Sequence, residues 1–168
     1  MADNVITGYA VKFNEQIVYG NYWREKIARG TFTRTLKEHP DVVMLLDHDS
    51  GRVLGRTAAG SLYLRQDSVG LYFALTVDPS TPEGQTALGT VGRQDVKGCS
   101  FGFVIRAEEW EDGDEKLPLR TIKDVDLFEI TLTAFPAYPT TTAALRSSNS
   151  DAARRGIEAA QRKRGILK

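Results

Sequence analysis

Between residues 52 and 77, three short stretches (52–58, 61–66 and 70–77) follow one another with breaks only at Ala59-Gly60 and Asp67-Ser68. Breaks that short cannot carry a helical crossover, and both read as hairpin turns. More strand-like runs surround them: 5–13, ending at the turn-like Asn14-Glu15, then 16–27, 42–48, 98–110, 119–125 and 126–135. Asp49-Ser50-Gly51 and the acidic Glu111-Asp112-Gly113-Asp114 read as turns.

Two helices interrupt the strands. Phe32 and Leu36 are four apart, so 32–39 reads as a short helix capped by Thr31 and stopped by Pro40. Asp78-Pro79-Ser80-Thr81-Pro82-Glu83 opens a second helix running to about Val96, with Ser80 or Thr81 as cap and Pro82 in its first turn. Gly84, Gly89 and Gly92 weaken it. The expected fold class is mainly β with a few helices (α+β). At this strand density, closure into a small β-barrel flanked by the helices would remove the sheet edges.

The chain has 168 residues, enough for one domain with its own core. Pro136-Ala137-Tyr138-Pro139 closes the ordered body, 140–153 reads as a small-residue linker, and 152–164 as a helix. The division is therefore a body over 1–146 and a basic linker and helical tail over 147–168. Charge supports the split. The tail carries Arg154, Arg155, Arg162, Lys163, Arg164 and Lys168 against Asp151 and Glu158, while the whole chain balances 22 bases with 22 acids. The body is thus acidic. The basic tail suits either an acidic protein surface or nucleic acid, or is simply a solvated helix.

Cys99 is the single cysteine, so neither an internal disulfide nor a cysteine-based zinc site can form. No apolar run approaches the roughly 20 residues of a membrane span. Met1-Ala2-Asp3-Asn4 opens no secretory signal. A soluble protein of the cytoplasm is expected.

Three residues stand out chemically. Ser100 lies in Gly98-Cys99-Ser100-Phe101-Gly102-Phe103, His48 ends the apolar run from Val42, and Glu129 lies in Leu127-Phe128-Glu129-Ile130-Thr131-Leu132-Thr133. A serine, a histidine and a carboxylate are the parts of a nucleophile, a general base and a group to orient that base. Strand alternation puts the His48 imidazole with Val42, Met44 and Leu46. It puts Glu129 with Leu127, Thr131 and Thr133, opposite Phe128, Ile130 and Leu132. The glycines flanking Ser100 would admit a substrate strand or an oxyanion hole. Each residue also has a plainer reading, as a structural histidine, a solvent-facing glutamate and a small-residue strand. His39 reads as a helix-end residue. Asp47, His48 and Asp49 lack the second histidine that a metal site would need, and no cofactor motif is present.

In order along the chain stand Gly8-Tyr9-Ala10-Val11-Lys12-Phe13, Gly30-Thr31-Phe32, His48-Asp49 with Leu54-Gly55-Arg56, and Val69-Gly70-Leu71-Tyr72-Phe73. Ser100-Phe101-Gly102-Phe103 follows, then the strand from Leu127 to Thr133 and Pro136-Ala137-Tyr138-Pro139. Read together, these resemble the tailed-phage prohead (procapsid maturation) serine protease family from about Gly8 to Arg146. The resemblance implies a barrel related to the herpesvirus assembly proteases, with His48 as general base, Ser100 as nucleophile and Glu129 as the acid. It implies cleavage of the scaffold and the major capsid protein, and of the enzyme itself, within a procapsid in the cytoplasm of a host bacterium. Residues 140–150 would be the self-cleavage zone and the tail a tether. A homo-oligomer is compatible with it, while membrane and nucleic acid are not expected partners, and no metal or cofactor is needed. Glu129-Ile130-Thr131 replaces the family's usual Glu-Val-Ser. The loop over 134–139 lacks the arginines of the herpesvirus enzymes, which leaves the oxyanion donors to backbone amides near Ser100 or in residues 136–139. The alternatives are a non-catalytic capsid-assembly or scaffold component of the same fold, and a barrel that binds nucleic acid through its tail.

Overall fold

One strand organises the molecule. In the computed structural model, which describes residues 4–114 and 116–146, β9 (Leu119–Thr133) runs unbroken where two strands were expected. Along one edge it pairs antiparallel with β8 (Gly98–Glu111). Its other edge is shared. β3 (Trp23–Ile27) pairs parallel with its first part, from Leu119 to Ile122, and β4 (Val43–Leu46) pairs parallel with its last, from Glu129 to Leu132.

Between β3 and β4 the edge of β9 would be left bare. α1 (Thr33–Glu38) fills that interval with side chains. The Leu127 N–H donates to Thr35 Oγ1 at 3.0 Å, and Arg34 Nη2 donates to the Val125 carbonyl at 3.1 Å. Backbone groups that no strand can reach are satisfied by a helix lying over the gap. Thr31 does not cap this helix. Its hydroxyl donates to Ala28 O and Ile122 O instead, tying the loop to β9.

β2 (Ile17–Tyr19) completes one end of this sheet beside β3, and β5 (Asp49–Arg56) the other beside β4. The expected single strand over 16–27 is thus a hairpin, turned where Tyr22 N–H donates to Tyr19 O. A second sheet contains β6 (Leu62–Gln66), β7 (Gly70–Thr76), β1 (Val5–Lys12) and β10 (Ala144–Arg146), in the order β10-β1-β7-β6. The hairpin expected across Ala59-Gly60 is therefore corrected: the chain there passes from one sheet to the other, and of these three strands only β6 and β7 pair as a hairpin. Ile6, Phe73 and Leu75 of this sheet and Met44, Ile130 and Leu132 of the other are fully buried in one core. Each such side chain contributes about 1.5–3 kcal/mol. α2 (Pro82–Gly92) starts as expected, with Pro82 first and Thr81 Oγ1 accepting from Gly84 N–H at 2.9 Å.

The expected closed barrel is corrected: the strand ladders of the described residues form two sheets. Where closure would need a continuous ladder, the segment of residues 141–143 bridges instead. Thr142 N–H donates to Tyr9 O, Ala143 N–H to Lys97 O, and Cys99 N–H to the Thr141 hydroxyl. A linker from 140 is corrected too. Thr141 and Ala143 are buried and β10 pairs with β1 as far as Arg146. The expected tail, 147–168, lies outside the described residues.

Candidate active site

β4 stops at Leu46, two residues earlier than the sequence pattern suggested, and its partner β5 starts at Asp49. Asp47 and His48 form the two-residue turn between them, with φ of 53° and 59°. Two consecutive left-handed residues give the twist that a tight hairpin needs, and Asp and His enter that region more readily than most. His48 therefore leaves the strand, and its assignment to the face of Val42 and Met44 does not hold. Its backbone N–H donates to Thr131 Oγ1 at 2.8 Å, and its ring Nδ1 meets Glu129 Oε1 at 2.5 Å.

β9 is bulged next to Glu129. Gly102 pairs with Glu129 and Phe103 with Leu127, so Phe128 is the extra residue. The bulge reverses the alternation on its far side. Leu127 turns into the core at 1% exposure and Phe128 outward at 55%, the opposite of their expected faces. Glu129 and Thr131 remain on one face, level with Gly102 and Ser100 of β8.

Ser100, directly opposite Thr131, is 8% exposed. Its Oγ accepts a hydrogen bond from the Ala137 N–H at 3.1 Å. The loop presenting that N–H is held on both sides. Phe135 N–H donates to Thr133 Oγ1, the buried Tyr138 hydroxyl donates to Glu25 Oε2 at 2.5 Å, and Thr141 Oγ1 donates to Cys99 O. A Cβ on Gly98 would come within 2.8 Å of Pro136 Cγ. Gly98 thus gives room to this loop.

The His48–Glu129 contact determines what the imidazole can do. A carboxylate on Nδ1 accepts that nitrogen's proton and leaves Nε2 with its lone pair, the tautomer of a general base. The ring is about half exposed, while the Glu129 side chain is 17% exposed. Glu129 Oε2 is buried and makes no hydrogen bond among the described residues. The neighbouring Cys99 is a poor rival nucleophile, since full burial pushes its thiol far above its ordinary value. His39 follows α1 as its C-cap and has no contact with this cluster among the described interactions. Among the described residues no three His, Cys, Asp or Glu side chains lie close enough to hold a metal.

Sequence reasoning brought out His48, Ser100 and Glu129 but missed Thr131, Tyr138 and Glu25. Thr131 carried one signal, the hydroxyl it shares with the serine usual at that place in the family pattern. The pairing of Tyr138 with Glu25 carried none, its members being 113 residues apart.

No curated protein matches the chain. A family model described as caudovirus prohead serine protease matches residues 1–155 of the 168. The chain belongs to the caudovirus prohead serine protease family, a family of serine peptidases.

Proposed function

We propose that this chain is the endopeptidase that trims scaffold and major capsid protein during procapsid maturation, with Ser100 as nucleophile, His48 as general base and Glu129 as the acid orienting it. The observation that carries this reading is the 2.5 Å contact of Glu129 with His48 Nδ1, two ladder rows from a serine whose Oγ already receives a backbone N–H.

His48 Nε2 takes the Ser100 proton as Oγ attacks the scissile carbonyl, and Glu129 stabilises the imidazolium. The tetrahedral oxyanion takes the Ala137 N–H, which in the resting site sits on Oγ. Collapse passes the proton from Nε2 to the leaving amine and leaves an acyl-enzyme. Water, deprotonated by the same nitrogen, then hydrolyses that ester. Hydrogen bonds of such sites tighten when substrate arrives, so a resting serine bonded to Ala137 is compatible with this sequence of steps.

The work takes place inside the procapsid, in the cytoplasm of the host. No helix of the described residues is long and apolar enough to cross a membrane. Self-cleavage, if it follows the same chemistry, needs an extended and accessible bond. Buried Thr141 and paired Ala144–Arg146 do not offer one. The test is co-expression with the major capsid protein encoded alongside, comparing wild type with Ser100→Ala by intact mass. Trimmed products lost only in the variant are expected. Identical products from both would overturn the assignment of Ser100, and no trimming by either would point to a non-catalytic assembly component.

A further inference from the structure

Gly102 stands directly across the β8–β9 ladder from Glu129. A Cβ placed on it would lie 2.6 Å from Glu129 Oε1, 2.8 Å from Cγ and 3.1 Å from Cδ. Side-chain carbons do not approach that closely, so the Glu129 side chain lies flat over the bare α-carbon of its neighbour. Gly102 is not among the glycines with positive φ, so its backbone conformation is one that any residue adopts. A glycine inside a strand weakens it relative to alanine. What the glycine contributes here is space.

The geometry points to Gly102 as a positioning residue for the general base: the side chain it lacks is the room in which Glu129 lies to reach His48 Nδ1. Swinging the carboxylate alone cannot make room for a methyl group, because the collision includes Cγ. Relief requires a new rotamer about Cα–Cβ, and that takes Oε1 off the imidazole. Gly98 and Gly102 therefore serve different ends of one site, the first giving room to the loop that carries Ala137 and the second to the acid.

The inference rests on the reading of Ser100, His48 and Glu129 given above. Its test compares four full-length proteins: wild type, Gly102→Ala, Glu129→Ala and the double variant. The readout is the rate at which a fluorophosphonate labels Ser100, followed by intact mass, together with a thermal melt of each. Gly102→Ala is expected to slow labelling about 100-fold, the scale of a misplaced catalytic group. The double variant is expected to label no more slowly than Glu129→Ala. In that background, with no side chain to collide with, alanine at 102 is expected to raise the melting temperature. A Gly102→Ala protein that labels at the wild-type rate overturns the proposal, as does a loss that adds in full to that of Glu129→Ala. Should Gly102→Ala fail to fold, a folded double variant supports the collision with Glu129, and an unfolded one overturns it. Failure of the underlying reading has its own signature: labelling that persists at the wild-type rate in Ser100→Ala. The imidazole 15N shifts of His48 then still test the contact, since Gly102→Ala is expected to move them and unchanged shifts overturn the proposal.

Discussion

The hydroxyl of Thr131 accepts the backbone N–H of His48 at 2.8 Å, and Thr131 is also the residue directly opposite Ser100 in the ladder. One buried side chain therefore references the turn carrying the base to the strand carrying the nucleophile. Thr131→Val keeps the shape and removes the acceptor. It is expected to cost about 1–2 kcal/mol of stability and to slow Ser100 labelling at least tenfold, while Thr131→Ser stays near wild type. Equal rates for valine and serine would show that the turn holds itself.

Ala137 supplies the one N–H that reaches Ser100 Oγ among the described residues. Ala137→Pro deletes that donor. Loss of a single oxyanion donor costs roughly 10²–10³ in kcat, and a fall of that size in capsid-protein trimming is expected, with the melting temperature checked alongside. A proline variant that cleaves normally would place the oxyanion elsewhere.

Tyr138 and Glu25 are each 3% exposed, and their bond anchors the Ala137 loop to β3. Burial, together with the adjacent Glu25, keeps the phenol protonated well above its ordinary range, so it donates at every working pH. Tyr138→Phe leaves a buried carboxylate oxygen short of a donor. A loss of about 1–3 kcal/mol in chemical denaturation is expected, with a smaller effect on labelling than Ala137→Pro.

Asp126 takes hydrogen bonds from Arg34 and Arg106 at 2.6 Å each, which hold its carboxyl below the usual carboxylate range. Because the folded value is depressed, the ionised form favours the fold. That contribution is full above the unfolded value of about 3.9 and is lost as pH falls through the folded value beneath it. Melting temperatures of wild type and Asp126→Asn are expected to differ at pH 6 and to converge as pH falls below the depressed folded value. A constant gap across that range would remove ionisation as the cause.

Cys99 is fully buried, with its thiol raised by burial. Native protein is expected to resist thiol reagents and to react once unfolded, and Cys99→Ala is expected to cleave within about threefold of wild type. Loss of activity on alkylating native enzyme would contradict the assignment of Ser100.

Local signals in the sequence carried most strands and both helices, and the start of α2 most fully, because its Thr81 cap and Pro82 are neighbours in the chain. The end of α2 comes at Gly92, short of the expected Val96. The paired His48 and Glu129 were legible as residue types, not as geometry. The turn was missed because Asp47-His48 contains no glycine, while Asp49-Ser50-Gly51 next to it does and drew the break forward. The bulge at Phe128 was invisible for a different reason. It exists only in the register between β8 and β9, and no residue near Phe128 announces it. Closure of the sheet depended on which edges find partners, a property of the whole chain and not of any stretch of it.

Val5 and Arg146 are direct partners in the β1–β10 ladder, so the described body begins and ends at nearly one point in space. The same neighbourhood makes the body a natural subject for circular permutation, its old ends joined by a few flexible residues and new ones opened at the exposed Ala59-Gly60 turn between β5 and β6.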